Sequence, residues 1–449
     1  MDTERTRAER FAFPPWRIEG GALVFPFQCS RYGAFEERVW FPGRPLPDSL
    51  SPGLARLASL LHAALGVSTY KAAAARIVDL PDLGPAGRAM AERLYTHGLA
   101  EFFVRAGLPY PPGTRFEGGT LAPCGDAPAP GEGGALVAFG GGKDSYVARA
   151  IARAAGDEPE LCSVVMSGAV ERAIRATAPG PVTFLWRSLD PKLLALEGAF
   201  NGHVPITAIN ALVLTICARL SGKARVVFAN ERSADEPTME AGGVTANHQD
   251  SKSSAFEALL ADSVAEADPG APVPFSTLRP YSEIWIARAF AGLKGTPDAP
   301  LPRFTSCNRN FRLAGDADKR WCGACAKCAF TSLILSPHLT EAEHLRAFGD
   351  RFLDRPALQP FFAQLAGLAA NKPWDCVGTI DECRATLRRL AESGPWAEST
   401  AVRALLPRVR AETSDAALAQ AWAKGLRAHD APLVPEAYRA AAARLSPEG

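Results

Sequence analysis

The chain has 449 residues, 47% hydrophobic and 22% charged, which is enough for two or three globular domains with substantial cores. Its formal net charge is +1, so no overall field draws it to nucleic acid or to an anionic membrane. We therefore expect a small-molecule substrate, and we expect neither a nucleic acid nor a membrane as a partner.

No secretory or membrane-spanning segment is expected from the sequence. The N-terminus, Met1–Arg5, is charged and lacks the apolar segment that follows in a secretory signal. The best apolar stretch, around Ala208–Cys217, falls short of the ~18 residues that a membrane helix needs. Ten cysteines in such a chain indicate a reducing compartment, where clustered thiols are more often metal ligands or catalysts than disulfides. We therefore expect a cytoplasmic protein.

Three regions are predicted along the chain. Residues 1–125 are predicted to form an α+β domain, 126–337 a nucleotide-binding domain, and 338–449 a helical region. In the first region, short strands are predicted at Leu23–Phe27 and Phe35–Phe41. Nothing in that region has the spacing of catalytic residues.

Alternating strands and helices are predicted after a proline- and glycine-rich segment, Leu121–Gly134. Apolar strands begin at Ala135, Cys162, Val182 and Arg225. Helical patterns between them favour an α/β fold, a parallel sheet with helices on both faces. Ligands of such sheets bind at the C-terminal strand ends, near the switch in strand order. We therefore expect the chemistry directly after Phe139, Met166, Trp186 and Ala229.

The segment Ala138–Ser145 (AFGGGKDS) predicts a phosphate-binding turn between a strand and a helix. Its three consecutive glycines let the backbone approach a phosphate, and the N–H groups of the helix N-terminus bind the anion. Lys143 adds a mobile positive charge, and Asp144 can hold a divalent cation. The spacing matches neither the Walker A motif nor the GxGxxG motif. A plain tight turn is the alternative interpretation.

Polar residues follow the third and fourth predicted strands. Asn201 and His203 precede a predicted helix, so His203 could reach a phosphate or a substrate carboxylate. Asn230, Glu231 and Arg232 follow the fourth strand directly. Arg232 could hold a carboxylate through two hydrogen bonds, and Glu231 could act as a base or bind Mg²⁺. The alternatives are a histidine bonded to the backbone and a solvated loop.

A further polar segment contains Asn247, His248 and Lys252 ahead of an amphipathic helix. One interpretation is a loop that contacts the substrate. The other is a helix N-cap formed by Asp250 or Ser251.

The cysteine pattern predicts a metal site late in the chain. Four thiolates at this spacing can converge on one tetrahedral ion, most simply Zn²⁺: Cys307, Cys322, Cys325 and Cys328. An iron–sulfur cluster is less favoured because nothing else indicates electron transfer. Reactive thiols are the competing interpretation, since a Cys-x-x-Cys motif lowers the thiol pKa. Trp374 and Cys376 lie in a predicted loop between helices and could line a pocket, although packing is the default interpretation of both.

The glycine turn resembles the Ser-Gly-Gly-Lys-Asp-Ser loop of the N-type ATP pyrophosphatases, the PP-loop enzymes, which cleave ATP between its α- and β-phosphates. With the cysteine cluster added, the chain resembles 7-cyano-7-deazaguanine synthase. The wider set of motifs is a closer match to the family of UDP-N-acetyl-α-D-muramoyl-L-alanyl-L-glutamate epimerases. That resemblance spans nearly the whole chain and rests on residues 139–145, 201–205, 230–233, 247–248, 279–283, 321–328 and 372–378.

The resemblance implies an adenine nucleotide α-hydrolase-like fold and an isomerase of peptidoglycan precursor synthesis. Such an enzyme uses ATP and Mg²⁺ to convert the terminal L-Glu of a UDP-linked muramoyl dipeptide into D-Glu, releasing AMP and diphosphate. Adenylation of the carboxylate makes the neighbouring Cα–H acidic enough for a side-chain base. The alternative is an adenylating enzyme of nucleobase or tRNA modification, although the near-neutral charge argues mildly against tRNA. A zinc-stabilised binding protein is a third, non-catalytic possibility.

The resemblance also implies residue roles. The expected ATP-binding residues are Gly140, Gly141, Gly142, Lys143, Asp144, Ser145, Met166 and Ser167. Within this set, Lys143 stabilises the α-phosphoryl charge and Asp144 binds Mg²⁺. The expected substrate-binding residues are Asn201, His203, Asn230, Arg232, Asn247, His248 and Lys252. The catalytic candidates are Lys143, Asp144, His203, Glu231 and Arg232. The Cα base stays open among His203, Glu231, His248, Lys252 and a cysteine.

Overall fold

The computed structural model describes residues 7–122, 124–125, 129–237, 239–241, 243–296, 299–307, 320–369, 372–392 and 394–446. Its strands are β1 (Arg10–Ala12), β2 (Arg17–Glu19), β3 (Ala22–Cys29), β4 (Gly33–Trp40), β5 (Ile77–Asp79), β6 (Arg115–Glu117), β7 (Gly133–Ala138), β8 (Glu160–Val165), β9 (Val182–Ser188), β10 (Lys223–Phe228), β11 (Met239–Ala241), β12 (Val244–Ala246) and β13 (Pro274–Ser276).

The helices of the first two predicted regions are α1 (Pro52–Leu65), α2 (Val67–Tyr70), α3 (Pro85–Tyr95), α4 (Ala100–Arg105), α5 (Lys143–Ala154), α6 (Gly168–Thr177), α7 (Pro191–Leu194), α8 (Ile206–Leu220), α9 (Ser254–Ala267), α10 (Glu283–Gly292) and α11 (Ala326–Leu335). Those that follow are α12 (Glu341–Phe348), α13 (Gln359–Leu365), α14 (Ile380–Ala391), α15 (Thr400–Glu412), α16 (Asp415–Gly425) and α17 (Glu436–Leu445). Short 3-10 turns at Arg232–Asp235 and Asp250–Lys252 lie near the site described below.

Eleven of these strands form one sheet in the order β13-β10-β7-β8-β9-β4-β3-β1-β5-β6, with β2 paired to β3. The first five run parallel to one another. The strands that directly follow β7 in the sequence, β8 and β9, lie on one side of it in the sheet. The later strands β10 and β13 lie on its other side. The strand order therefore switches between β7 and β10, which is where open α/β sheets bind ligands.

The parallel strands are covered on both faces. Ala135 and Val137 of β7 point into one hydrophobic core, which also contains residues of α5, α10, α11 and the C-terminal helices. Leu136 points into the other core, which contains residues of α1, α8 and α9. This alternation follows from the two-residue period of a strand. The predicted α/β fold, with its parallel sheet and helical C-terminal region, is confirmed.

The N-terminal strands continue the parallel sheet. Strand β4 pairs antiparallel with β9, with Val39 opposite Arg187. The Arg187 guanidinium donates to the Glu37 carboxylate (2.9 and 2.7 Å), and both side chains are buried. The predicted strand at Leu23–Phe27 lies within β3, and the one at Phe35–Phe41 largely coincides with β4. The division of the chain at residues 125 and 337 stays a prediction.

The C-terminal helices pack against the helices of the parallel sheet. The Tyr438 hydroxyl on α17 donates to the Asp157 carboxylate (2.5 Å), which follows α5. The Ser282 hydroxyl at the start of α10 donates to the Gly425 carbonyl (2.5 Å) at the end of α16. Across the residues that are described, no helix is long and apolar enough to cross a bilayer.

Candidate active site

A cavity of about 340 Å³ opens at the C-terminal ends of β7 and β10. This is the switch point of the sheet, and the volume lies within the range of small-molecule sites. The polar side chains that line the cavity include Asp144, Ser145, Ser163, Asn210, Asn230, Glu231, Lys252, Thr305, Ser306, Lys327 and Cys376. The cavity therefore lies where the sequence predicts the chemistry, after Phe139 and Ala229.

The glycine turn forms one wall of the cavity. Gly141 has a φ of +79°, and a Cβ atom on it would lie 2.2 Å from the hydroxyl oxygen of Thr177, so only glycine fits. The Thr305 amide donates to the Gly141 carbonyl (3.0 Å), which fixes the turn against the segment before Cys307. Helix α5 begins directly after Gly142, so its first N–H groups lie at the cavity wall.

Lys143 and Asp144 form a charged pair at the start of α5. The Lys143 side chain is only 1% exposed, and its ammonium contacts the carboxylates of Asp144 (2.5 Å) and Glu283. Burial raises the pKa of Asp144, but the charges of Lys143, Lys327 and Lys252, with the hydrogen bond from Lys143, together outweigh burial and lower the pKa overall. Asp144 is therefore ionised at neutral pH. It lines the cavity, so its carboxylate suits a divalent cation there.

Another wall carries Glu231 and Lys252. Glu231 is only 4% exposed, and its carbonyl accepts a hydrogen bond from Arg279 (2.9 Å). Burial lowers the pKa of Lys252, but the negative charges of Cys376 and Glu231 outweigh it and raise the pKa above the ordinary value. Lys252 is therefore a fixed positive charge in the cavity.

Cys376 lines the same cavity from the loop between α13 and α14. The Lys252 Nζ atom lies 3.2 Å from its Sγ atom, and the Lys327 ammonium donates to its carbonyl oxygen. Burial raises the pKa of the Cys376 thiol, but the Lys252 charge and a hydrogen bond from His248 outweigh it and lower the pKa to about 6. The thiol is therefore mostly ionised at neutral pH.

A second anion, the buried Glu101 carboxylate, also contacts His248. The Glu101 carboxylate contacts Nδ1 of His248 and lies 3.6 Å from Nδ1 of His203. Burial lowers the pKa of His248, but hydrogen bonds with Cys376 and Glu101 outweigh it and raise the pKa to about 9. Burial and the nearby His248 lower the pKa of His203 to about 4. At neutral pH, a charged His248 therefore lies between two anions and a neutral His203 lies beside it.

Met166, Ser167 and Asn201 lie on the β8–β9 side of the fold. Met166 and Asn201 line a second cavity of about 470 Å³. The Ser167 hydroxyl accepts from the Val170 amide (3.3 Å), so Ser167 caps the N-terminus of α6. The Asn201 side-chain oxygen accepts from the Lys71 ammonium (2.8 Å). Met166 and Asn201 thus line a different cavity from Glu231 and Lys252.

Three further predicted site residues lie in three separate environments: Arg232, Asn230 and Asn247. The Arg232 guanidinium contacts His429 and lines a third cavity, of about 470 Å³, beside the C-terminal helices. Asn230 lines the main cavity, and its amide donates to the Ser276 hydroxyl (2.9 Å). Asn247 bonds to backbone groups at 2.8 Å through both ends of its amide, so it orders its own loop.

The four cysteines of the predicted zinc site come together. Their sulfur atoms all lie within 4.8 Å of one another. The Cys328 sulfur lies 3.5 Å from that of Cys325 and 3.7 Å from that of Cys322. A tetrahedral site with Zn–S bonds of about 2.3 Å places its sulfurs about 3.8 Å apart. The donor set and its geometry therefore fit one tetrahedral ion.

The cysteine cluster is joined to the cavity wall on both sides. Thr305 and Ser306, which precede Cys307, line the cavity. Helix α11 begins directly after Cys325 and carries Lys327, which also lines it. A metal bound by the cysteines would therefore hold these three cavity residues in position.

Comparison with known proteins decides the family. A model of the MurL N-terminal domain matches residues 2–276, and one of the MurL C-terminal domain matches residues 303–420. The chain belongs to the MurL family. No solved structure matches it.

Curated relatives within the MurL family share one name, UDP-N-acetyl-alpha-D-muramoyl-L-alanyl-L-glutamate epimerase. The relative from Salinispora tropica is 38% identical over 90% of this chain and 89% of its own length. Relatives from a Micromonospora strain and from Xanthomonas oryzae pv. oryzae are each 35% identical over 90% of this chain, which covers 91% and 90% of their lengths. The family resemblance predicted from the motifs is confirmed, and the chain is an enzyme of the isomerase class.

Several residues at this MurL site were not among the predicted site residues, and Cys376 and Glu101 are two of them. Cys376 is 124 residues from Lys252, so neither a motif nor a periodicity joins them. The available signal was a thiol beside Trp374 in a loop of a helical region, and packing is the usual interpretation of such a pair. Glu101 lies on α4, in the N-terminal region that shows no catalytic spacing, and tertiary folding brings it to His203 and His248.

Proposed function

We propose that the protein epimerises the terminal L-Glu of UDP-N-acetylmuramoyl-L-alanyl-L-glutamate to D-Glu, with ATP and Mg²⁺. AMP and diphosphate are the other products, and the step belongs to peptidoglycan precursor synthesis. The observation that carries this proposal is the composition of the main cavity. It joins a phosphate-binding glycine turn and Asp144 to acid–base groups, Glu231 and Cys376, in one space.

The reaction needs ATP for a physical reason. The negative charge of a free carboxylate opposes formation of a carbanion at the neighbouring carbon. Transfer of AMP to the carboxylate gives a mixed anhydride, which is electronically similar to an ester. The Cα–H then becomes acidic enough for a side-chain base, and preorganised positive groups can hold the enolate oxygen. Reprotonation from the other face inverts the centre, and water removes AMP.

The groups around the glycine turn fit this use of ATP. Backbone N–H groups of Gly142 and the first turn of α5 can hold phosphate oxygens. The ionised Asp144 carboxylate would hold Mg²⁺, which neutralises charge on the phosphates. The buried Lys143 ammonium fixes that carboxylate from behind. The positive charges of Lys252 and Lys327 are available for the developing oxyanion and the leaving diphosphate.

We also propose a structural Zn²⁺ at the four-cysteine cluster, since the sulfur separations match a tetrahedral thiolate site. The ion would take no direct part in the reaction. Its role is to stabilise the segments that carry Thr305, Ser306 and Lys327 to the cavity.

One assay tests the proposed reaction. The protein is incubated with ATP, Mg²⁺ and UDP-N-acetylmuramoyl-L-alanyl-L-glutamate, and AMP, diphosphate and the chirality of the glutamate are measured. We expect D-Glu to accumulate together with AMP and diphosphate. An Asp144→Asn variant should lose all three products, because it removes the proposed Mg²⁺ ligand.

The pattern of products separates the alternatives. AMP without D-Glu would reject the epimerase but keep the adenylation chemistry, as in an enzyme of nucleobase or tRNA modification. ADP and phosphate in place of AMP and diphosphate would reject adenylation. Absence of nucleotide turnover with this substrate would reject the proposal as a whole.

A further inference from the structure

Three proton-exchanging groups share the main cavity: the Cys376 thiol, the Glu231 carboxyl and the Lys252 ammonium. They come from the loop before α14, the end of β10 and the turn before α9. None of them is assigned a step by the family relationship. Their arrangement nevertheless restricts which of them can act on the two faces of one carbon atom.

Cys376 is held as an anion by groups on several elements. The Lys252 ammonium lies 3.2 Å from its sulfur, the Lys327 ammonium binds its carbonyl, and His248 donates to the thiol. The Glu101 carboxylate contacts His248 and supports its positive charge. The resulting row, Glu101–His248–Cys376–Lys252, alternates in charge. A thiolate in such a row is a stable base beside the reacting space.

Inversion of a carbon atom needs a base on one face and an acid on the other. A proton-transfer group must come within about 3 Å of the carbon, so two such groups on opposite faces lie roughly 6 Å apart. Lys252 Nζ lies 3.2 Å from the Cys376 sulfur, so these two groups occupy the same side. Glu231 lines the cavity from a different element, the end of β10, but its negative charge acts on Lys252, so we do not assign it the proton that the other face needs.

We propose that the Cys376 thiolate removes the Cα proton of the activated L-glutamyl residue, and that a solvent water molecule returns a proton to the opposite face. This inference rests on the proposed function, because only an activated carboxylate gives a sufficiently acidic Cα–H. Lys252 stabilises the thiolate and the enolate oxygen, while His248 and Glu101 are positioning residues.

The step balances in protons and electrons. The Cys376 thiolate takes the Cα proton, and the electron pair of the C–H bond becomes the enolate of the adenylated substrate. The enolate carbon then takes a proton from a water molecule on its other face, which leaves a hydroxide ion. The Cys376 thiol gives its proton to this hydroxide through solvent, which restores the thiolate and the water.

The test compares the wild-type protein with Cys376→Ala in D₂O, with ATP, Mg²⁺ and the UDP-linked dipeptide. Diphosphate release, D-Glu and deuterium at Cα are measured. We expect diphosphate release within about tenfold of wild type, whereas deuterium incorporation and D-Glu fall by about 10²–10⁴-fold, the usual contribution of a general base. Cys124→Ala, which changes a thiol in the segment before β7, is the matched control and should retain all three activities.

The outcomes separate this inference from the proposed function. If wild-type protein releases no diphosphate with the substrate, the proposed function fails and the role of Cys376 fails with it. If wild type is active and Cys376→Ala still forms D-Glu at more than a tenth of its rate, only this inference fails. A glutamyl thioester on Cys376, detected by mass spectrometry, would show a nucleophile and overturn the role as base.

A second measurement does not depend on turnover or on the stability of the alanine variant. Alkylation of Cys376 by iodoacetamide is followed against pH by peptide mass spectrometry. In wild type we expect a midpoint near pH 6, and in Lys252→Met a midpoint nearer to that of an ordinary thiol. A wild-type midpoint above about pH 8 would overturn the inference, since an ordinary thiol titrates there.

Discussion

At the residue scale, Cys376 and His248 reverse the order in which a thiol and an imidazole normally lose their protons. The pKa of Cys376 falls from 9.0 to about 6, and that of His248 rises from 6.5 to about 9. Each group stabilises the charged form of the other, and Lys252 and Glu101 add a second partner on either side. The ion pair therefore persists over a window of about three pH units.

That window predicts a bell-shaped dependence of kcat/KM for epimerisation on pH. Activity should rise as pH increases through about 6, where the Cys376 thiol ionises, and fall above about 9, where His248 loses its proton. Lys252, Lys327 and Glu101 also act on the charges of this pair. Initial rates of D-Glu formation between pH 5 and 10 check the prediction. The His248→Asn variant should lose the alkaline limb, and an unchanged profile in that variant would contradict the assignment.

The site residues that could be predicted from the sequence are those held in short motifs. Gly140–Ser145 and the four cysteines lie close together along the chain, so their chemistry is visible in the spacing. Glu231 was visible because it follows a recognisable strand. Cys376 and Glu101 were not, because their partners, Lys252 and His248, are 124 and 147 residues away and meet only in the folded protein.

At the scale of elements, the glycine turn makes a sharp prediction about stability. Gly141→Ala should lower the free energy of unfolding by about 1–3 kcal/mol, the usual cost of forcing a side chain into a left-handed backbone conformation. The new Cβ atom would also meet the Thr177 side chain. Chemical denaturation without ligand measures the loss.

Gly140→Ala is the matched control for this turn. A Cβ atom at Gly140 has no heavy atom within 4 Å, and its φ lies outside the left-handed region. Its stability should therefore stay within about 0.5 kcal/mol of wild type, as for most surface substitutions. Equal losses of stability in the two variants would show that crowding by Thr177 is not the reason for glycine at position 141.

The cysteine cluster predicts about one zinc ion per chain of purified protein. Cys325→Ser should remove it, whereas Cys124→Ser, which lies outside the cluster, should leave it in place. Loss of the ion should weaken nucleotide binding, because Thr305 holds the Gly141 carbonyl and Lys327 lines the cavity. Metal analysis and nucleotide titration check both parts. Iron in place of zinc, or a metal-free protein with unchanged nucleotide binding, would contradict the prediction.

At the scale of the whole molecule, the buried ion pair between Glu37 and Arg187 joins the N-terminal strands to the parallel half of the sheet. Burial raises the pKa of Glu37 to about 6 despite the Arg187 charge, so this carboxylate depends on its partner. Arg187→Ala should cost about 3–5 kcal/mol of stability, because it leaves a buried charge unpaired. The exposed pair Arg403–Glu398 provides the control, and Arg403→Ala should cost less than about 1 kcal/mol. Denaturant unfolding measures both, and similar losses would contradict the argument.

The parallel half of the sheet could be predicted from the sequence, since strands β7 to β10 are apolar and separated by helical patterns. Its continuation into β4 and β3 could not. The pairing of Val39 with Arg187 joins residues 148 positions apart, and an arginine in a strand is normally interpreted as exposed. Strand β13 was also missed, because Pro274–Ser276 is too short to give a periodic pattern.

The junction between β4 and β9 also determines which fragments of the chain can be produced alone. A fragment that begins after the proline- and glycine-rich segment would lack β4, so β9 would become an edge strand with unpaired backbone groups. Such an edge, seven residues long and containing Phe184, Leu185 and Trp186, is a template for intermolecular pairing and aggregation. The N-terminal region therefore covers the edge of the parallel half of the sheet within the same chain, and the two parts are best expressed together.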